Sequence, residues 1–500
     1  MQKNDLKKIN DYLWEIPKSH WGKMNVPARV YADEKLLEKV FEDRSVEQLV
    51  NMATLPGIQK YALAMPDMHE GYGFPIGGVG AFDVKEGIIS PGGVGYDINC
   101  GVRLLKSQIT FEEIKDKILP LVNQIQRDVP SGLGSRHENK LSNAELEKIL
   151  RNGVKELVGQ GIGEKLDYEN CEEYGSMKNA DPEKVSERAK NRGKDGLGTL
   201  GSGNHFLEIQ KVEEIFDEEV AKKFGLFSGQ VTIMIHCGSR GLGHQVASDY
   251  IREFLKYSEN NNIQLADREL VYAPIESKEG KNYLGAMAAA ANFAWANRHT
   301  ISHNVRGAWR RIFGDSGGKL ELLYDVAHNM AKFEEHEIDP VEAKANGAGP
   351  AKADTRGADG KKKMLCVHRK GATRAFPAGR KELPEHFRNI GQPVIIPGTM
   401  GTASCVLVGA QEAMNQTFES VCHGAGRIMS RKKAKKIVDI GQLRKELEQK
   451  GIIIRVASRG ELGEEAPIAY KDIDNVVNVV ASAGLARKVA RLRPLGVVKG

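Results

Sequence analysis

Apolar residues recur at helical spacing over Glu34–Met52 and again over Leu141–Val158. In the second stretch Ser142 and Glu145 form a capping box, and Leu146, Ile149, Leu150, Val154 and Leu157 make one apolar face. Both patterns predict helices laid on a core. Between them, Asp67 to Val102 is dense in Gly and poor in helix formers, which predicts loops and short strands. Apolar runs at Phe206–Val212, Val231–Ile235 and Leu320–Val326 predict buried strands. A histidine bounds each run: His205 before the first, His236 and His328 after the others. A long helix is predicted around Leu284–Phe313. Further strands are predicted at Met364–Val367, Val394–Ile396 and Ile452–Val456, with helices at Ile440–Gln449 and in part of the C-terminal stretch.

The segment Pro340–Lys363 is rich in Ala, Gly, Lys and Asp and predicts an exposed insertion loop. Gly-rich polar loops are otherwise dispersed from residue 67 to 427, with no clean linker. That dispersal favours a single large mixed α+β domain over residues 1–500, with central strands and surrounding helices.

Composition narrows the class only a little. The chain has 500 residues, 41% hydrophobic and 28% charged, ordinary values for a globular protein. Lys and Arg outnumber Asp and Glu by 72 to 66, a net charge of +6 that permits an anionic partner without demanding one. The basic run Arg431–Lys436 fits a solvated helix end and phosphate-backbone contact equally well. The six cysteines are scattered with no C-x-x-C, so they do not read as a disulfide framework. The polar start is no signal peptide, and the Ala-rich run Ala286–Ala296 is too short to span a bilayer. These features predict a reduced, cytoplasmic protein. The 54 glycines cluster in short loops beside polar residues, where backbone can approach a ligand closely.

Several constellations could carry chemistry. Asp97 and Cys100, three apart after a Gly-rich turn, can aim at one point, and carboxylate with thiolate and imidazole suits manganese or zinc. For an isolated Asp-x-x-Cys, a buried thiol and a turn-capping Asp are the commoner outcome. His205, His236 and His328 at strand boundaries can converge at one sheet edge, although most single buried histidines are only hydrogen-bonded. The loops Gly238-Ser239-Arg240-Gly241-Leu242-Gly243-His244 and Pro397-Gly398-Thr399-Met400-Gly401-Thr402-Ala403-Ser404 suit an anion, or are plain tight turns. His423-Gly424-Ala425-Gly426-Arg427 offers an accessible histidine that can act as a nucleophile, with an arginine to meet phosphoryl charge. His299 and His303 lack a third partner and read as surface or core residues. His69 and His368 sit in polar loops that could line the same cleft.

Taken together, these strings resemble one family. Pro66-Asp67-Met68-His69-Glu70-Gly71, Gly95 to Gly101, Gly203-Asn204-His205-Phe206-Leu207-Glu208, His236 to Gly241, His328-Asn329, His368 to Arg374, Pro397 to Gly401 and His423 to Arg427 look, in this order, like the RtcB family of tRNA-splicing and RNA-repair ligases. The resemblance implies that family's own mixed α and β fold, with the active site in a Gly-rich loop cleft. It also implies a GTP- and manganese-dependent enzyme that joins RNA ending in a 3′-phosphate or 2′,3′-cyclic phosphate to RNA with a 5′-hydroxyl.

By the same resemblance His423 is the guanylylated histidine. Asp97, Cys100 and His205 hold one manganese ion; Cys100, His236 and His328 hold a second. Asn204, His205, Phe206, Leu207, Glu208, His328, Asn329, Pro397, Gly398, Thr399, Met400, Ser404, His423, Gly424, Ala425, Gly426, Tyr470 and Lys499 contact GTP, with Glu208 reading guanine. Arg240 and Arg427 suit RNA phosphates. The implied partners are RNA and an activating archease, and the implied state is a monomer. Two rivals use the same ligands differently: a manganese-dependent phosphodiesterase or phosphatase, and an RNA-binding scaffold with a structural metal.

Overall fold

Two mixed sheets organise the chain. The computed structural model describes residues 1–132, 134–136, 140–338 and 361–500. The first sheet has seven strands, in the spatial order Lys7–Asn10, Leu13–Ile16, Ala28–Tyr31, Ile58–His69, Ile76–Asp83, Lys361–Lys370 and Asn329–Ile338. The second runs Glu321–Ala327, Gly101–Thr110, Gln230–Cys237, Phe206–Ile215, Ala486–Lys499, Ser404–Gly409 and Pro393–Ile396, and Ile453–Val456 joins Ala486–Lys499 in parallel.

The sheets are tied by short crossings. The edge strand Glu321–Ala327 of the second sheet runs through the single residue His328 into the edge strand Asn329–Ile338 of the first. The chain also crosses from Ile76–Asp83 to Gly101–Thr110 through the segment that carries Asp97 and Cys100. Two candidate ligand segments therefore lie where the chain passes between the sheets.

The 36-residue helix Lys278–Phe313 packs along the second sheet. Ser277 caps it by accepting from the Gly280 amide at 3.0 Å. Ala286 to Ala291 are all fully buried, since small side chains let the helix sink into the core. Further along, the same helix buries Arg298, which leads toward the site. No helix among the described residues is long and apolar enough to cross a membrane.

Most predicted elements stand. The expected strands at 206, 231 and 320 are present, and the capping box at Ser142 and Glu145 forms as read. The stretch Glu34–Met52 divides into the helices Glu34–Val40 and Ser45–Met52. Of the expected insertion 340–363, residues 361–363 instead open the strand Lys361–Lys370, pairing with Ile338 to His336. Residues 340–360 lie outside the described residues. The C-terminal stretch holds a helix, Ile473–Ser482, but also the strand Ala486–Lys499, which sequence reasoning missed. Its interspersed Arg and Lys hide the apolar alternation, and Pro494 falls where the pairing slips.

Candidate active site

Register brings the ligands into one row. Gly101 pairs with Ala327 on one side and with Cys237 on the other, and Phe206 pairs with His236 and Lys499. Cys100, His205 and His328 each flank a strand in this row, and His236 lies within one rather than just after it. Antiparallel neighbours thus present four side chains from four strands at one sheet end.

Asp97 is added by the turn before Gly101. The Cys100 amide donates to Asp97 O at 3.0 Å, and Asn99 takes the left-handed conformation at φ 52°. Gly238 must be glycine here, because a Cβ at that position would fall 2.2 Å from Asp97 Oδ1.

The five side chains form two overlapping groups that could hold a metal, Asp97–Cys100–His205 and Cys100–His236–His328, with the Cys100 sulfur common to both. Cys100 Sγ lies 3.4 Å from His205 Nε2 and 3.2 Å from His236 Nε2, and His205 Nε2 lies 2.8 Å from Asp97 Oδ2. His328 Nδ1 meets the Thr373 hydroxyl at 3.1 Å, while its Nε2 is buried with no partner. A carboxylate, a thiol and three imidazoles packed together with an orphaned ring nitrogen are a donor set that fits a divalent cation.

The electrostatics agree. Burial, reinforced by the neighbouring rings, pushes the His236 and His328 imidazoles well below their usual range, so both are neutral and fit to ligate. Burial opposes the Asp97 charge, but the adjacent His205 ring outweighs it and holds the carboxyl well below its ordinary value. Burial, aided by Asp97, pushes the Cys100 thiol up, a balance that a bound cation reverses.

Beneath the cluster, Arg298 Nη1 donates at 2.8 Å to both Asn99 O and Cys237 O, and its Nη2 donates to Asp325 at 2.7 Å. Arg103 Nε donates to the same carboxylate at 2.8 Å, and all three charged groups are fully buried. The loop carrying Cys100 and the strand carrying His236 are fastened to one guanidinium.

His423 stands beside this cluster, its ring centroid 5.2 Å from that of His328. Asp67 Oδ2 accepts from His423 Nδ1 at 2.6 Å and from the His423 amide at 3.0 Å. The carboxylate is fully buried and sets the tautomer, leaving Nε2 as the lone-pair nitrogen. Gly426, at φ 73°, lets the loop approach this strand, since a Cβ there would sit 2.1 Å from Asp67 O.

A cavity of about 230 Å³ opens over the cluster and His423. Of the residues assigned to GTP, Asn204, Phe206, His328, Asn329, Pro397 to Met400, His423 to Gly426, Tyr470 and Lys499 line it. His205 lies just below, among the clustered ligands. Leu207 does not line the cavity and is fully buried, as alternation along its strand requires.

Glu208 and Ser404 are also buried behind the lining, linked through Gln210, whose Nε2 donates to Glu208 Oε2 at 2.8 Å and to Ser404 Oγ at 3.1 Å. Burial raises the Glu208 carboxyl to about 8, against weaker opposition from Gln210 and Lys499. Its Oε1 has no partner.

Arg427 lines the cavity, donating to Tyr470 Oη at 2.9 Å and to Glu465 Oε1 at 3.2 Å. Arg240 does not line the cavity and is tied to Thr199 Oγ1 and Ser135 Oγ at 3.1 Å each. His69 lines the cavity as expected; His368 does not, and packs instead against Phe74 and Phe82 while accepting from the Ser90 amide. His299 is a core residue, bonded to Ile162 O at 2.7 Å. Sequence reasoning did not single out Asp67, Glu465 or Lys471, and Arg431, which lines the cavity, entered only as the first residue of the basic run. The string Pro66-Asp67-Met68-His69 held the signal for Asp67, but nothing local pairs a residue with one 356 positions away.

Fold and site define a class: a mixed α+β enzyme whose buried His/Cys/Asp cluster can hold metal beside an oriented histidine. Residues 48–500 match the sequence model of the family described as tRNA-splicing ligase RtcB, and the chain belongs to that family. Relatives of that name are 54% identical over 497 residues in Thermococcus kodakarensis and 52% identical over 497 in Archaeoglobus fulgidus, each match covering 99% of both chains. A third, in Nanoarchaeum equitans, is 52% identical over 499 residues, again 99% of both chains.

Proposed function

We propose that this protein is a cytoplasmic RNA ligase that joins 3′-phosphate or 2′,3′-cyclic phosphate ends to 5′-hydroxyl ends, with GTP as co-substrate and His423 as nucleophile. The observation that carries this reading is the Asp67–His423 pair at the wall of the cavity, next to the five clustered ligands. A phosphatase using the same ligands would need neither a guanylylated histidine nor GTP, so the protein adduct separates the two readings.

Asp67 holds the His423 Nδ1 proton, and the Nε2 lone pair attacks the α-phosphorus of GTP. An N–P bond forms, the bond from the α-phosphorus to the β-phosphate oxygen breaks, and pyrophosphate leaves. An oxygen of the RNA 3′-phosphate then attacks that phosphorus and breaks the N–P bond, so the RNA carries a 3′-linked guanylyl group. The 5′-hydroxyl oxygen attacks the RNA phosphorus, its proton is lost, and GMP departs. A cyclic phosphate is opened by water before these steps. Asp97, Cys100, His205, His236 and His328 would hold manganese, which neutralises phosphoryl charge. Glu208 does not line the cavity, and its role at the guanine edge rests on the resemblance. Arg427 and Arg240 suit RNA phosphates.

The test is direct. Protein, manganese and α-labelled GTP should give an acid-labile protein adduct that His423→Ala abolishes. No adduct, or one that persists in His423→Ala, rules the mechanism out.

A further inference from the structure

Side chains hold the backbone of the strand end that carries Asp67. Asp67 O is held by His69 Nδ1 at 2.9 Å. The carbonyls on either side, Pro66 O and Met68 O, accept from Lys471 Nζ at 3.0 and 2.5 Å. Three successive carbonyls are thus fixed by two side chains. Lys471 also grips the opposite loop, since its amide donates to Gly426 O at 2.9 Å. One residue therefore fastens the strand bearing Asp67 to the loop bearing His423.

Lys471 is only 6% exposed, so its ammonium is committed to these contacts. A buried lysine that braced nothing would be a liability, since burial lowers its pKa to about 8 with Asp67 as the leading opposing charge. The resemblance and the cavity lining both pass over this residue, because it touches neither the cavity nor the clustered ligands.

We infer that Lys471 is a positioning residue, clamping residues 66–68 against the 423–427 loop so that Asp67 meets His423 Nδ1. This rests on the reading of His423 as the GTP-attacking nucleophile. Lys471 acts through Asp67 and touches no reacting atom. A displacement of about 1 Å at such a pair costs on the order of 10²-fold in rate.

The measurement is the single-turnover rate of adduct formation from α-labelled GTP with manganese, beside GTP affinity and melting temperature. Lys471→Met should slow the adduct step by roughly 10²-fold while GTP affinity changes less than about threefold. Lys471→Gln, which keeps donors for the carbonyls, should recover part of the loss. In an Asp67→Asn background, Lys471→Met should add almost nothing, because the two act as one unit.

A wild-type rate in Lys471→Met, or losses that multiply with Asp67→Asn, overturns the inference. Failure of both Lys471 variants to fold also overturns it, in favour of a purely structural lysine. If the wild-type protein forms no His423-dependent adduct, it is the nucleophile reading that fails instead.

Discussion

Asp67 and His423 stand 356 positions apart in the chain, yet a carboxylate oxygen of the first lies 2.6 Å from Nδ1 of the second. The same oxygen takes the His423 amide at 3.0 Å, so ring and backbone are oriented by one atom. Replacing the carboxylate with an amide keeps the shape and loses the tautomer. Asp67→Asn should slow the guanylylation step by roughly 10²–10⁴-fold at nearly unchanged melting temperature. Labelled-adduct kinetics beside a thermal melt check this. A loss below tenfold would remove Asp67 from the mechanism.

The clustered ligands predict a metal stoichiometry. Cys100 belongs to both groups, whereas His328 belongs to one. Wild-type protein should retain about two manganese ions per chain after equilibrium dialysis at micromolar free metal, and His328→Ala about one. Cys100→Ala should retain less than one, since the shared sulfur completes both groups. Elemental analysis against protein concentration reads the result. Equal retention in the two variants would show that the thiol is not shared.

How much of this was legible in the sequence follows from how local each signal is. The three histidine-bounded strands were readable because an apolar run and its flanking histidine lie within ten residues of each other. The Asp97–Cys100 turn was readable for the same reason. The strand Ala486–Lys499 was not, because its central place is set by neighbours at 206–215 and 404–409 rather than by its own pattern. Lys471 was equally hidden: it looks like any exposed lysine until residues 66–68 are placed against it. The bond between His423 and Asp67 is a tertiary fact, and only the family resemblance hinted that their two strings share a site.

The buried ion network beneath the site makes a stability prediction. Asp325 receives Arg103 and Arg298, and none of the three is exposed. Removing the carboxylate leaves two buried guanidinium groups without their counter-ion. Asp325→Ala should lower the unfolding free energy by about 3–5 kcal/mol, measured by denaturant titration. Because Arg298 also holds Asn99 O and Cys237 O, the variant should bind manganese more weakly even where it folds. Wild-type metal affinity in the folded variant would show that the network supports the core alone.

Glu208 gives a pH signature. Its usual carboxyl value is 4.5 in the unfolded chain, and burial raises it to about 8 in the fold. Between those values the folded chain keeps a proton that the unfolded chain has released. Stability from this group therefore falls as pH rises from about 4.5 to about 8, and is level outside that window. Glu208→Gln removes the slope, so its stability relative to wild type should rise across the window by roughly 4–5 kcal/mol at most. If Glu208 reads the guanine edge it must accept two N–H donors, which needs the ionised form. GTP affinity should then increase from pH 6 to pH 8 by up to about tenfold per unit in the wild type, and stay flat in Glu208→Gln. Calorimetric titrations at three pH values decide it. A wild-type affinity independent of pH would place guanine recognition on another residue.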